Sequence, residues 1–350
     1  MKILNGKYTL RPFTLEDENG VLELWKTAFK STMSKELFRW KYLKNPYTQT
    51  MMLCVTDKDE IVTFYGGIPY LFQYGEKIVP VVNLMDIMSH PMHRENRIFE
   101  KTAKQFMAYF CSPLKRDGLA SLQESLLLMY GFPGEFHYSI GERILNYRKV
   151  NQPLYLTLSL GYSKDKSTPL YKKNRKAEVL NSIEFKNNNW FEQDRLWFDN
   201  LWEKCKQDYP FSIIRDSKFV NWRFINHPEK QYSILKIGSS VDGAFVVLQI
   251  NGSKATIVDM FMSNYSELFK DVIFAIVEYL TAIDSHQEIK YIETWLPENH
   301  FLAAHAIEYG FQSQDEPIGI IPTVSLFEHS PTLEWVTSNL YYSMGDGDLL

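Results

Sequence analysis

The apolar positions of this chain switch between a helical and an alternating rhythm, and each switch marks an element. Tyr8-Thr9-Leu10-Arg11-Pro12-Phe13 reads as a short strand. Val21, Leu22, Leu24, Trp25 and Phe29 then recur at helical spacing, with Thr14 placed to cap and Asp17 in an acidic first turn. A second helix is predicted from Lys35 to Leu43, stopping before Pro46 because the residue ahead of a proline disfavours α geometry. Met51–Val55, Ile61–Tyr65, Leu71–Tyr74 and Val79–Met88 read as strands, parted by the polar turns Asp57-Lys58-Asp59 and Gly75-Glu76-Lys77. A loop is expected over Ser89–Asn96. Ile98, Phe99, Thr102, Phe106, Tyr109 and Phe110 then mark one face of a helix. Leu126–Tyr130 reads as a buried strand, broken by Gly131-Phe132-Pro133-Gly134.

The pattern then repeats. Phe38-Arg39-Trp40-Lys41-Tyr42-Leu43-Lys44-Asn45-Pro46 aligns without a gap on Val220-Asn221-Trp222-Arg223-Phe224-Ile225-Asn226-His227-Pro228. Leu84-Met85-Asp86-Ile87-Met88-Ser89 resembles Ile257-Val258-Asp259-Met260-Phe261-Met262-Ser263, and each leads into an amphipathic helix. The second helix carries Leu268, Phe269, Val272, Ile273, Ile276, Val277 and Leu280 on one face. The order helix, helix, strand, strand, strand, helix, strand, helix is therefore expected twice. The predicted division is a first domain over 1–160, a linker over 161–178, a second domain over 179–328 and a tail over 329–350.

Composition narrows the class. The chain has 350 residues, 45% apolar and 23% charged, and a formal net charge of −4. That is the balance of a globular protein and argues against a generally basic nucleic-acid coat. The linker is locally basic, with six Lys or Arg against Asp165 over 161–176, as in a solvated connector. Cys54, Cys111 and Cys205 form no C-x-x-C pair and no disulfide framework. No run is apolar enough to cross a bilayer, and the N-terminus lacks a signal-peptide pattern. A cytoplasmic location without nucleic-acid partners or membrane insertion is expected. His90 and His93 lie three apart and His300 and His305 five apart, but no cysteine or acidic third ligand stands at a zinc spacing, so no metal is expected. Trp190, Trp197 and Trp202 read as core.

The chemistry concentrates in Asp86-Ile87-Met88-Ser89-His90-Pro91-Met92-His93-Arg94-Glu95-Asn96-Arg97-Ile98-Phe99, between a strand and a helix. A helix N-terminus presents unpaired N–H groups and a positive dipole end, a ready place for phosphate. Arg94 and Arg97 add charge there. Strand opening at Ile87 and Met88 would offer backbone groups to an amide-bearing ligand arm.

This segment resembles the coenzyme A-binding region of the GNAT acetyltransferases, and more narrowly the His-Pro-x-x-Arg-x-x-Gly-Ile-Phe loop of tandem-domain bacterial members. Phe38, Trp40, Lys41, Tyr42, Asn45 and Pro46, the run Tyr130-Gly131-Phe132-Pro133, and the ending Tyr341-Tyr342-Ser343-Met344-Gly345-Asp346-Gly347-Asp348-Leu349-Leu350 are similar to those proteins too. The resemblance implies an α/β fold of two tandem GNAT-like domains, each a mixed, mostly antiparallel twisted sheet flanked by helices. It implies acyl-CoA, such as acetyl-CoA, as co-substrate, held by Ile87, Met88, Arg94, Glu95, Asn96, Arg97, Ile98 and Phe99. Arg97 stands where the family has glycine, and is expected either to obstruct a pyrophosphate or to pair with it.

In the second copy the spacing from Asp259 to the helix is shorter, arginine and glycine are missing, and Glu267 would repel phosphate. Cofactor binding is therefore assigned to the first copy, and the acceptor pocket to the second. Proton transfer needs an acid and a base. The family's tyrosine four residues before a glycine corresponds here to His137 before Gly141, with Tyr138 beside it. Asp86 and Glu124 are the base candidates, and the terminal carboxylate of Leu350, on a glycine-loosened tail, is a further one by resemblance to the enhanced-intracellular-survival acetyltransferases. The expected function is N-acylation of a small amine, such as an amino sugar of surface-polysaccharide synthesis. The alternatives are a non-catalytic binding protein with a degenerate loop, and a relative of the peptidoglycan aminoacyltransferases.

Overall fold

The computed structural model describes residues 1–4, 6–47, 50–94, 97–110, 126–160, 177–181, 192–284 and 288–347, with backbone alone for Lys2 and 177–181. The chain divides into two compact units. The first comprises 1–72, 77–150 and 320–333, and the second 73–76, 151–319 and 334–350.

In the first unit, Thr14 donates to Asp17 Oδ2 from its backbone N–H (2.8 Å) and its hydroxyl (3.0 Å), closing the turn that enters α1 (Glu18–Phe29). Arg11 holds the same carboxylate at 2.6 Å. Ser34 caps α2 (Lys35–Phe38), which runs on into a π-helical turn at Arg39–Leu43. The sheet follows in the order β1 (Lys2–Ile3), β2 (Tyr8–Pro12), β3 (Thr50–Thr56), β4 (Ile61–Tyr74), β5 (Lys77–Ser89), β6 (Leu128–Gly131), β16 (Thr323–Leu326) and β7 (Tyr147–Lys149). The two short strands expected at Ile61–Tyr65 and Leu71–Tyr74 are one continuous β4. α3 (Ile98–Phe110) and α4 (Glu135–Leu145) cover the sheet over a core that includes Met52, Tyr65, Val82, Phe106, Met129 and Tyr138. Gly141 seats α4 closely, since a Cβ there would stand 2.0 Å from the Tyr147 ring.

The second unit repeats the scheme. Its sheet runs β9 (Ala177–Asn181), β11 (Ser233–Ser239), β12 (Asp242–Asn251), β13 (Lys254–Met262), β14 (Tyr291–Pro297), β8 (Pro153–Ser159) and β15 (Gln312–Gln314). Its helices include α5 (Glu192–Cys205), α6 (Ser217–Val220), α7 (Ser266–Ile283), α8 (Phe301–Glu308) and α9 (Leu333–Asn339). The expected element order thus occurs twice, with one short extra strand, β10 (Phe211–Ile213), between α5 and α6. The repeat extends to backbone detail, because α6 has a side-chain cap at Asp216 and continues into a π-helical turn at Asn221–Ile225. The parallel pairing of β5 with β6 ends at Asn83, and that of β13 with β14 at Thr256, each three residues before the aligned aspartates Asp86 and Asp259.

One feature of the division departs from the expected boundaries. The next-to-last position of each sheet is filled from outside its own repeat. β16 sits between β6 and β7, and β8 sits between β14 and β15. A cut at 160 would leave β8 attached to the wrong sheet and take β16 from the first one. The expected linker lies outside the described residues except for 177–178, which already belong to β9. No helix among the described residues is long and apolar enough to cross a membrane.

Candidate active site

The site is built by the end of β5. Beyond Asn83 this strand continues to Ser89 while β6 ends at Gly131, so their pairing stops and the two diverge. At the divergence Asp86 adopts φ +54°, a left-handed conformation that aspartate tolerates better than most side chains. Lys41 Nζ at 2.5 Å and the Tyr42 hydroxyl at 2.6 Å hold its Oδ2 there. Both donors come from the π-helical turn, so the Lys-Tyr pair of the repeated motif serves to fix the kink. The Asp86 carboxylate, expected as a base, is thus already engaged by Lys41 and Tyr42.

Against the freed end of β5 lies a cavity of 620 Å³. Ile87 and Met88 of β5, Phe99 of α3, and Ile140 and Ile144 of α4 give it an apolar floor, and Ala28 and Phe29 of α1 reach one side. Arg94, Arg97 and Arg143 bring positive charge to it. Arg94 and Arg143 are exposed and have no ion-pair partner among the described residues. Arg97 turns outward, with its Nε 2.5 Å from Glu100 Oε2 and its side chain 71% exposed. Glu100 also accepts from Lys104 at 2.6 Å, so it is not an available base.

Arg97 occupies φ +56°, a conformation glycine adopts without steric cost. Arg97 thus takes the backbone conformation that the family's glycine would favour, and its guanidinium pairs with Glu100. Arg97→Gly is expected to be more stable than Arg97→Ala by about 1 kcal/mol, because only glycine escapes the Cβ contact of the left-handed region. Equal denaturation midpoints for the two variants would contradict that strain.

Two polar atoms at the cavity are buried without a partner among the described residues: the Ser89 hydroxyl and His137 Nε2. Burial pushes the His137 imidazole below its ordinary value, so it is neutral at pH 7. Its ring packs edge-on against Phe99 at 5.9 Å. A neutral, unengaged imidazole is suited to accepting a proton. Tyr138, the neighbouring candidate, does not line the cavity. Its hydroxyl donates to Glu142 at 2.7 Å, Lys149 sits over its ring at 4.8 Å, and desolvation raises it to about 12.

The fold therefore brings together Ile87, Met88, Arg94, Arg97, Phe99 and His137. Ile98 instead faces the core with Leu10, Cys54 and Val62. Glu95, Asn96, Glu124 and Leu350 lie outside the described residues. Sequence reasoning missed Ser89 and Arg143. The helical face His137, Ile140, Ile144 pointed toward Arg143, since positions three or four apart share a side.

The corresponding place in the second unit is filled. Tyr341 donates to Met260 O and Tyr209 to Met262 O, at 2.7 and 2.9 Å. Gly345 packs where a Cβ would stand 3.0 Å from the Phe224 ring and 3.2 Å from Val258 O. Arg223, the counterpart of Lys41, donates to the carbonyls of Gly345 and Gly347. The N–H of Asn264, just ahead of α7, already serves Asp208 at 2.9 Å. The tail through Gly347 is held by these contacts.

Comparison with known proteins follows this geometry. Residues 9–122 match the family model of an acetyltransferase (GNAT) domain. No curated protein sequence matches the chain. Three solved structures resemble it in fold. A conserved protein of unknown function from Enterococcus faecalis V583, described as a probable N-acyltransferase, is 12% identical with a TM-score of 0.64, over 92% of this chain and 73% of that one. A tandem GNAT protein from the clavulanic acid biosynthesis pathway is 10% identical with a TM-score of 0.55, over 93% and 99%. Saccharomyces cerevisiae N-myristoyltransferase, with myristoyl-CoA bound, is 12% identical with a TM-score of 0.57, over 93% and 84%. Residues 9–122 thus match a GNAT acetyltransferase domain, and the fold of the whole chain, in which the same element order is repeated, is shared with a tandem GNAT protein.

Proposed function

We propose that this protein is an acyl-CoA-dependent N-acyltransferase whose cofactor site is the cavity of the first unit. One observation carries the reading: a strand edge released beyond Asn83 opens onto a 620 Å³ apolar cavity where, among the described residues, Arg94 and Arg143 have no ion-pair partner and two polar atoms are orphaned. A cavity of this size suits a small-molecule ligand. Its parts fit an elongated molecule with phosphates at one end, amides in the middle and an acyl group at the other.

Acyl-CoA bound there would supply a thioester activated toward an amine. Arg94 and Arg143 would bind its phosphates as charge-assisted partners. The β5 edge at Ile87 and Met88 would bind its amides. His137 Nε2 would take the proton that the amine must lose, and could return it to the departing thiolate. A small amine acceptor, an amino sugar of surface-polysaccharide synthesis among the class, is the finer reading and rests on the sequence resemblance alone.

Thermal denaturation tests the binding step. Acetyl-CoA or a longer acyl-CoA at about 100 times its dissociation constant should stabilise the full chain by roughly 2.7 kcal/mol, seen as a higher Tm. Arg94→Ala/Arg143→Ala should abolish the shift. No shift with any acyl-CoA at millimolar concentration would overturn the reading and favour a binding module with a degenerate loop.

A further inference from the structure

A second convergence of side chains lies in the first unit, outside the lining of the cavity. The turn between β3 and β4 ends in Glu60, and the turn that leaves β5 begins with His90 and His93. The fold sets these turns side by side, so that one potential ligand atom from each of the three residues lies within 4.8 Å of the other two. We propose that Glu60, His90 and His93 form a binding site for a divalent transition-metal ion, with zinc the expected occupant.

Donor chemistry is the first argument. Two imidazoles and a carboxylate suit zinc and its neighbours, and three protein ligands leave a fourth position for solvent or another ligand. Ligand atoms about 2.0–2.2 Å from zinc in a tetrahedral site stand roughly 3.4 Å apart. His93 Nε2 and Glu60 Oε2 are already 3.9 Å apart, and the Glu60 side chain is 53% exposed and able to swing inward.

Pre-orientation is the second. Tyr8, buried in the core, places its hydroxyl 3.0 Å from His93 Nδ1. A proton on Nδ1 donated to that oxygen leaves Nε2 unprotonated and aimed at Glu60, the arrangement outer partners impose on metal-binding histidines. The backbone is fixed on both sides. His90 N–H donates to Val62 O at 2.8 Å and His93 N–H to His90 O at 3.0 Å. Across from them, Thr56 N–H donates to Glu60 O at 2.9 Å and Glu60 N–H to Thr56 Oγ1 at 3.1 Å. The His90 ring accepts a 3.2 Å bond from Met92 N–H through Nδ1, and ligation through Nε2 would replace this bond. An occupied site would tie the β3–β4 turn to the stretch that leads directly into Arg94. It would thus steady the entrance of the loop beside the cavity, and it exists whether or not that cavity binds acyl-CoA.

The test uses tag-free full-length protein stripped with chelator and titrated calorimetrically with zinc chloride alone. One zinc per chain is expected, in the micromolar range or tighter, with a rise in Tm. Glu60→Gln and His93→Asn should each weaken binding at least about tenfold, and Tyr8→Phe by about tenfold through its outer-shell role. Zinc K-edge absorption on the wild type should show nitrogen and oxygen neighbours, and this readout stands even if a variant fails to fold. No binding at millimolar zinc, undiminished binding in Glu60→Gln/His93→Asn, or sulfur ligation at the edge would each overturn the proposal.

Discussion

Replacing His137 with glutamine is expected to lower turnover by about 10²–10⁴-fold while leaving acyl-CoA affinity nearly unchanged, because the change removes proton transfer and keeps the cavity wall. Thiol release from an acyl-CoA, with a panel of small amines as acceptors, is the readout. The pH profile adds a second one. Burial holds the His137 imidazole below its ordinary 6.5, and as the proposed base it would act in its neutral form. The His137 contribution should therefore be present at neutral pH and be lost only as pH falls through a midpoint below the ordinary imidazole value. Glutamine cannot titrate, so the acid limb due to His137 should vanish in the variant. A variant with activity within threefold of wild type, or with the same acid limb, would show that His137 takes no part in proton transfer.

The largest effect on stability is expected from Arg215→Met. Arg215 is wholly buried, with its Nε about 3.0 Å from Asp259 Oδ2 and an NH2 group 2.7 Å from Asp346 Oδ2. It also donates to Ile213 O at 3.1 Å. Methionine fills much the same volume but leaves two buried carboxylates without their cation. Losing one partner of such a buried network costs about 3–5 kcal/mol, which for a unit of this size lowers Tm by roughly 10 °C. Burial already pushes the Asp259 carboxyl up with Arg215 beside it, and without the arginine it should rise further. A raised folded-state carboxyl binds protons more readily than the unfolded chain. The deficit should therefore shrink as pH is lowered from 7 toward 4, the opposite of ordinary acid destabilisation. Urea denaturation at several pH values measures this. A loss under 1 kcal/mol at pH 7 would mean that the network does not hold the tail in place.

Much of the first unit was legible because local rules decide it. The strand ending at Ser89, the loop and the helix from Ile98 follow from apolar rhythm. That Ile87, Met88, Arg94, Arg97, Phe99 and His137 belong to one site was implied by the resemblance to the GNAT cofactor loop, and the six do line one cavity. The choice between His137 and Tyr138 was not legible, because adjacent helical residues point about 100° apart and only packing says which one faces the cavity. The role of Asp86 was hidden too. Its partners Lys41 and Tyr42 stand more than forty positions away, in a motif whose repetition was visible but whose purpose was not.

By itself the sequence determined the duplication, the element order of both copies, and the helix start that gathers Arg94 and Arg97. These depend on side-chain periodicity, capping and short turns, which act over a few residues. Only the tertiary structure decided that β8 and β16 exchange sheets, that Glu60 stands beside His90 and His93, and that Arg215 and Arg223 hold the tail in the second unit. The reason is physical. Which strand pairs with which, and which charges share a buried space, depends on contacts between residues far apart in the chain, and the spacing of residues along a sequence carries no record of them.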